Sequence, residues 1–433
     1  MHYLIALSKS RFVRNVFIVA TGTAGAQAIT MAFAPIITRL YGPEAFGLLG
    51  TFMAILAIAT PIAALTYPIA IVLPKSDKDA IGLAKLSAGL AFVMAAVLAL
   101  LILLFGDGLA ELLSLQSISG FLLLIPLAML FSAFHQILQQ WLIRKQQYRI
   151  TARVSVIQAF TLNLLKAGIG LINPVGVTLI VLTTLGSALH ALLLWLGVRR
   201  RNAAHPAPEQ AVTVADQSQA KSVKELAYLH RDFPKYRAAQ VAINALSQGL
   251  PVLMLAGFFG PTAAGLYSLS KIALGIPVTL LGQSISAVFY PKFNEAHSNN
   301  LNAYRILLIA LGLLAAIGLI PLIIVLFWGP LLFSLIFGAE WKESGVYAQW
   351  MTIWFYFMLI TRPVISAIPV LSIQRFFLFY EIIGVPVRFG ALLVGFYIYS
   401  SSIVSVAIFC LVNSLMYLAL TAKVLMVSKR NVR

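Results

Sequence analysis

Charged side chains in places where charge is costly are the first chemistry this sequence offers. Lys166, Lys271, Arg362 and Arg388 each lie inside a long apolar run, and Arg39 closes another. One acid, Glu381, also sits inside such a run. A charge at the centre of a bilayer costs about 3 kcal/mol on insertion scales, so it is placed there with a partner or beside a watered cavity. Cations in excess over acids suit an anionic ligand. Pyrophosphate fits them, because a guanidinium offers paired donors and an ammonium a compact point charge.

Each residue also has a plainer reading. Lys166 stands in the outer third of its run, where its stem lets it snorkel outward. Lys271 starts about two turns below an outer turn, too deep for that, which favours cavity lining. Arg362 stands in the inner third beside Pro363, and both readings stay open. Arg388, near mid-run, is hardest to explain without function. Glu381 precedes it by seven residues, on one face but about 10 Å away along the helix. The two are expected to line one cavity without pairing directly. Glu381 then answers a cation on a neighbouring helix or carries a proton, which makes it a candidate coupling acid. His135, His190, Asn163 and Asn413 read as interhelical hydrogen-bonding groups.

Catalytic chemistry is not signalled. The chain has no GxxxxGK[ST] loop, no HExxH and no CxxC. The outside connections are short, which favours a transporter over an enzyme. No catalytic residue, metal ligand or cofactor is assigned. The lone cysteine, Cys410, lies in an apolar run and supports no disulfide framework.

The elements that must hold these charges are membrane helices. The chain is 61% hydrophobic and 10% charged, whereas about a quarter of a soluble domain is charged. Crossing a bilayer takes about 20 apolar residues. Twelve runs qualify: 15–38, 45–73, 80–105, 121–142, 154–172, 175–197, 238–259, 263–290, 306–327, 346–373, 376–399 and 403–425. They are too long and too uniformly apolar for barrel strands, so the expected fold is an all-α polytopic membrane protein. Met1 to Arg14 lack a small-residue cleavage site, so the first run is expected to be retained. The net charge of +18 is clustered between the runs, as orientation signals are, and nucleic-acid binding is the weaker reading.

Gly42-Pro43-Glu44-Ala45-Phe46-Gly47-Leu48 returns 218 residues later as Gly260-Pro261-Thr262-Ala263-Ala264-Gly265-Leu266. Pro61 is echoed by Pro277, and Pro74-Lys75 by Pro291-Lys292. The twelve spans therefore divide into two six-helix repeats. Six is even, so both repeats enter the membrane in the same direction and form two parallel lobes around a central cavity. Most of the 31 cations fall on one side if both termini are cytoplasmic, with Arg39 and Lys342 outside. The expected domains are 1–200, a cytoplasmic linker at 201–236, and 237–433. Within the linker, 202–222 reads as a flexible tether. Lys221 to Arg237 reads either as a basic amphipathic helix on the inner leaflet, with Leu226, Tyr228, Leu229 and Phe233 as its apolar face, or as an unstructured basic tether.

Thr38-Arg39-Leu40-Tyr41-Gly42-Pro43-Glu44-Ala45-Phe46-Gly47 resembles the opening signature of the polysaccharide-transport (Wzx-type) flippases, relatives of the MATE drug exporters and lipid II flippases. Gly265-Leu266-Tyr267-Ser268 with Lys271, then Phe289-Tyr290-Pro291-Lys292, looks like that family's second copy. The resemblance covers nearly the whole chain. It implies a V-shaped pair of lobes around a cationic cavity. It also implies a polyprenyl-pyrophosphate-linked oligosaccharide substrate, flipped from the cytoplasmic to the outer leaflet of a bacterial inner membrane for O-antigen or exopolysaccharide assembly. By that likeness Lys271 and Arg39 are the leading substrate contacts, followed by Arg362 and Arg388, with Lys166 behind them. Gln27, Asn244 and Gln248 are placed to touch sugar hydroxyls. A polysaccharide polymerase and chain-length proteins are the expected partners besides the bilayer. The competing reading is a cation-coupled multidrug exporter, which calls for an acid-rich cavity.

Overall fold

The computed structural model describes residues 11–112, 116–204, 221–299 and 302–430. The described chain is helical almost throughout. First come α1 (Arg11–Leu40), α2 (Pro43–Ala63), α3 (Asp77–Leu112), α4 (Leu124–Arg144), α5 (Tyr148–Gly170) and α6 (Gly176–Ala204). Then follow α7 (Val223–Leu229), α8 (Ala239–Ser298), α9 (Ala303–Phe337), α10 (Lys342–Ile360), α11 (Arg362–Ala367), α12 (Gln374–Tyr399) and α13 (Ser402–Arg430). Each apolar run lies on helix over most of its length, and α8 supplies two of them across a break at Gly260. Among the described residues, seven helices are long and apolar enough to cross a membrane by length and composition. The tether expected at 202–222 falls mostly on residues 205–220, which lie outside the described residues.

The chain forms two compact units, Met1–Leu253 and Met254–Arg433. In the first, α1 lies along α5 and α4 packs against α2 and α6. Phe52, Leu56, Ala63, Ala91, Ile125 and Met129 form its main core. Gly22 meets Ala152 so closely that a Cβ would collide there. Lipid is as apolar as leucine, so helices in it associate through such close packing rather than by the hydrophobic effect. In the second unit α9 packs on α10, and α13 on both α10 and α12. A Cβ added at Gly345 would strike the Gly329 carbonyl, and one at Gly395 the Ser405 backbone.

The two Gly-Pro turns are helix starts. Pro43 opens α2 after Gly42, whose backbone is extended; its missing amide would have been an unsatisfied donor in any case. Gly260 has φ +85° and ψ 173°, a conformation restricted to glycine. The copies then part company. The α2 helix stops at Ala63, Leu65 and Thr66 take positive φ, and a 3-10 turn at Tyr67–Val72 follows. The second copy stays helical through Pro277 and Pro291 to Ser298. Pro61 and Pro68 remove two amide donors within seven residues, whereas Pro277 and Pro291 stand two turns further apart.

A strap and a docked helix cover this broken end. Arg144, at the end of α4, donates from Nε to Asp77 Oδ1 at 3.0 Å. Its Nη1 reaches the carbonyls of Ile71 and Pro74, and its Nη2 that of Lys75. Lys145 also pairs with Asp77. Ser222 and Glu225 cap α7 reciprocally, and Asp79 accepts from the Lys221 amide at 3.0 Å. Leu226 is buried with Tyr67, Ile71, Ala80 and Leu83, over the bare face of Gly82. Tyr67 donates to the Ala227 carbonyl at 3.0 Å and Thr66 to that of Phe233 at 3.1 Å. The Lys221–Arg237 segment is thus folded, and its expected apolar face is split. Leu226 and, in part, Phe233 turn into the protein, while Tyr228 and Leu229 are exposed.

Candidate functional site

The second unit carries the densest polar constellation found inside apolar helices. Arg388, on α12, is only 8% exposed. Its Nε donates to Asn413 Oδ1 of α13 at 2.9 Å, and its Nη1 to Glu381 Oε2 at 3.4 Å. Asn413 is in turn fixed through its amide nitrogen to the Phe409 carbonyl at 2.8 Å. The direct pairing corrects the expectation that Glu381 and Arg388 stay apart. Helical side chains lean toward the N-terminus, and the residue between the two is Gly384, three after Glu381 and four before Arg388. A Cβ there would sit 3.4 Å from the guanidinium. The tighter neighbour there is Met416, whose Cε would lie 2.6 Å from such a Cβ, so the glycine serves the packing of α13 on α12.

Two tyrosines and a second arginine complete the cluster. Tyr417 of α13 lies within electrostatic range of Arg388, Glu381 and Arg362, and Tyr380 within range of Arg388 and Glu381. Arg362 opens α11 and lays its stem over Gly282, where a Cβ would come within 2.9 Å of Nε. That Nε is buried without a hydrogen-bond partner. Tyr417 thus stands in the field of both guanidiniums, while the carboxylate pairs with Arg388. Neither tyrosine was legible in advance, because a tyrosine in an apolar run carries no periodic or charge signal. Asn413 acts as an interhelical hydrogen-bonding group, as its type and place suggest.

Lys271 is half-buried on α8, next to a hydroxyl junction. Ser270 Oγ donates to the Leu266 carbonyl at 2.8 Å and lies 2.7 Å from that of Ser344, while Ser344 Oγ also meets the Leu266 carbonyl. This junction ties α8 to the start of α10 and fixes the turn that bears Lys271. The first unit holds the remaining two cations. Arg39 is exposed in the last turn of α1, and Lys166 is half-buried on α5. They are linked by Tyr41, which donates to the Lys166 carbonyl at 3.0 Å and whose ring fills the space at Gly170. Lys271, Arg362, Arg388 and Glu381 therefore belong to one unit, and Arg39 and Lys166 to the other.

The model of the family described as "Polysaccharide biosynthesis protein" matches residues 36–346, well over half of the chain. The chain belongs to that family. A capsular polysaccharide biosynthesis protein, CapF, of Staphylococcus aureus is 30% identical over 109 residues, a stretch that is 24% of this chain and 27% of that protein. Solved structures extend the likeness to the whole fold. An inward-facing multidrug resistance MATE transporter of the MOP superfamily superposes with a TM-score of 0.70 at 13% identity, covering 94% of this chain and 95% of the other. The lipid II flippase MurJ, in an inward closed conformation, gives 0.67 at 11% identity, covering 96% and 90%. A MOP superfamily transporter from Pyrococcus furiosus, described by the reverse polarity of its binding pocket, gives 0.59 at 14% identity, covering 97% and 96%. Family and fold together make this chain a polysaccharide biosynthesis protein with the multi-pass helical fold of these solved membrane proteins.

Proposed function

We propose that this protein carries polyprenyl-pyrophosphate-linked oligosaccharide units from the cytoplasmic to the outer leaflet of a bacterial inner membrane by alternating access. Both termini are cytoplasmic in this reading. The product feeds an O-antigen or exopolysaccharide polymerase and its chain-length proteins. The supporting observation is Arg388, a guanidinium set among apolar helices and oriented by Asn413 and Glu381, with Tyr417 in electrostatic range of both Arg388 and Arg362. Two cations whose fields meet at Tyr417, with one acid paired to Arg388, favour an anionic ligand with more than one negative charge. Lys271, on the same unit, adds a compact third. Arg39 and Lys166 act on the other unit, Arg39 at the outer end of its span.

Glu381 is the coupling acid in this scheme. The carboxylate holds Arg388 while the site is empty of substrate, and pyrophosphate takes its place on the guanidinium. A proton on Glu381 neutralises the displaced carboxylate. A multidrug exporter needs acids facing a cationic drug, and the charge balance here runs the other way. The test is complementation of a flippase-deletion strain with Lys271→Ala and Arg388→Lys, with membrane abundance measured alongside. Lipid-linked oligosaccharide should accumulate while the variants insert normally. Normal polymer export by both variants would overturn the cationic-site mechanism.

A further inference from the structure

The docked segment at 221–238 has two faces, and only one of them is used by the protein. Leu226 points into the first unit. At about 100° per residue, Lys224 and Tyr228 lie roughly 160° away from it, on the opposite side of α7. Tyr228 is 68% exposed, Leu229 57% and Tyr236 61%. Cations dress these rings. The Arg231 guanidinium lies 4.4 Å from the Tyr228 ring centre, and Lys235 Nζ lies 5.1 Å from that of Tyr236. Lys221, Lys224, Arg231, Lys235 and Arg237 outnumber Glu225 and Asp232, and all seven are exposed. Glu225 is further engaged in the capping box. Exposed tyrosines beside Lys and Arg are the composition of a bilayer interface, where rings sit at headgroup depth. The segment also stands at a span boundary on both sides, against the start of α3 and directly before α8.

We propose that this outer face is a docking surface for the anionic lipid headgroups of the cytoplasmic leaflet. The segment clamps the broken end of α2 with Leu226, Ala227 and Phe233, and the leaflet holds the segment from below. Anionic lipid would therefore favour the clamped form of the first unit. The inference rests on the cytoplasmic placement proposed above, and its test separates the two.

Full-length protein in a Cys410→Ser background would carry Tyr228→Cys labelled with an environment-sensitive fluorophore. In inside-out and right-side-out vesicles, an impermeant thiol reagent should reach the unlabelled cysteine only from the cytoplasmic side. Labelling from outside would refute the orientation, and the inference with it. In nanodiscs of phosphatidylcholine with phosphatidylglycerol, the probe should shift to the blue and be quenched by brominated phosphatidylglycerol. In phosphatidylcholine alone it should report water. Lys224→Gln and Arg231→Gln should each weaken the preference for phosphatidylglycerol about fivefold, the share of one surface cation. Raised salt should do the same. Correct sidedness with equal probe signals in both lipids would overturn the proposal while leaving the orientation intact. Disulfide-linked dimers through the unlabelled Tyr228→Cys would do so as well, by showing a second copy of the chain on this face.

Discussion

Replacing Arg388 by Met removes a charge and leaves two partners behind. Glu381 loses the guanidinium 3.4 Å away, and Asn413 Oδ1 loses its donor at 2.9 Å. At an effective dielectric of about 20, a pair at that distance attracts by about 5 kcal/mol before desolvation. The Glu381 side chain is 38% exposed, so solvent screens the pair and the net coupling should fall to about 1–2 kcal/mol. The orphaned, buried Asn413 oxygen adds about 1–3 kcal/mol. Arg388→Met should therefore cost about 2–5 kcal/mol in detergent, and Glu381→Gln distinctly less. The double variant should lose about 1–2 kcal/mol less than the sum of the two single losses. Thermal unfolding of the four proteins reads this cycle. Transport separates structure from function, because the double variant should regain abundance and still not export. Additive losses would refute the pairing, and export by the double variant would remove Arg388 from the substrate path.

Further expectations follow from other parts of the molecule. Leu226→Ala should undock α7, at a cost of about 2–5 kcal/mol if the site does not collapse, and expose the 221–238 segment to limited proteolysis. Gly345→Ala should lower the melting temperature more than Gly312→Ala, since only the former meets backbone, at the Gly329 carbonyl; parallel melts of the two variants check this. Burial, helped by Lys221, holds the His230 imidazole below its ordinary range. Neutral His230 thus supports docking above about pH 6.5, and that support is lost as pH falls through its depressed value; faster hydrogen exchange at the His230 amide in acid than its intrinsic rate accounts for is the expected sign. Substituting Ala203–Gln219 with Gly/Ser of equal length should preserve export, as a tether works through its reach; loss of export at normal abundance would show that the segment recognises something.

Much of the helical architecture was readable from the chain, and the reason is physical. Lipid forces long apolar runs into helices, so run length reports the element directly, and Gly-Pro marks helix starts at Gly42 and Gly260 alike. The differences between the copies were not readable. Pro61 and Pro277 look equivalent, yet α2 stops at Ala63 while its counterpart runs on, and Pro68 has no near counterpart in the second copy. In the candidate site the cations were visible because charge in an apolar run stands out. Their pairing was hidden, since counting rise along an axis ignores side-chain length and lean. Tyr380 and Tyr417 were invisible for the opposite reason, being apolar enough to pass as ordinary span residues. The docking of Leu226 depends on a pocket assembled from Tyr67, Ile71, Ala80 and Gly82, which no local pattern announces.

Reconstituted transport tests the central proposal most directly. Purified protein in proteoliposomes would be given polyprenyl-pyrophosphate-linked oligosaccharide in one leaflet, with arrival in the other read by an impermeant glycosidase. The wild-type chain should move the pyrophosphate-linked lipid and not a polyprenyl-linked oligosaccharide lacking the pyrophosphate. Lys271→Ala and Arg388→Lys should slow the former while leaving reconstitution unchanged. Equal movement of both lipids, or wild-type rates in both variants, would contradict a cationic site built for pyrophosphate.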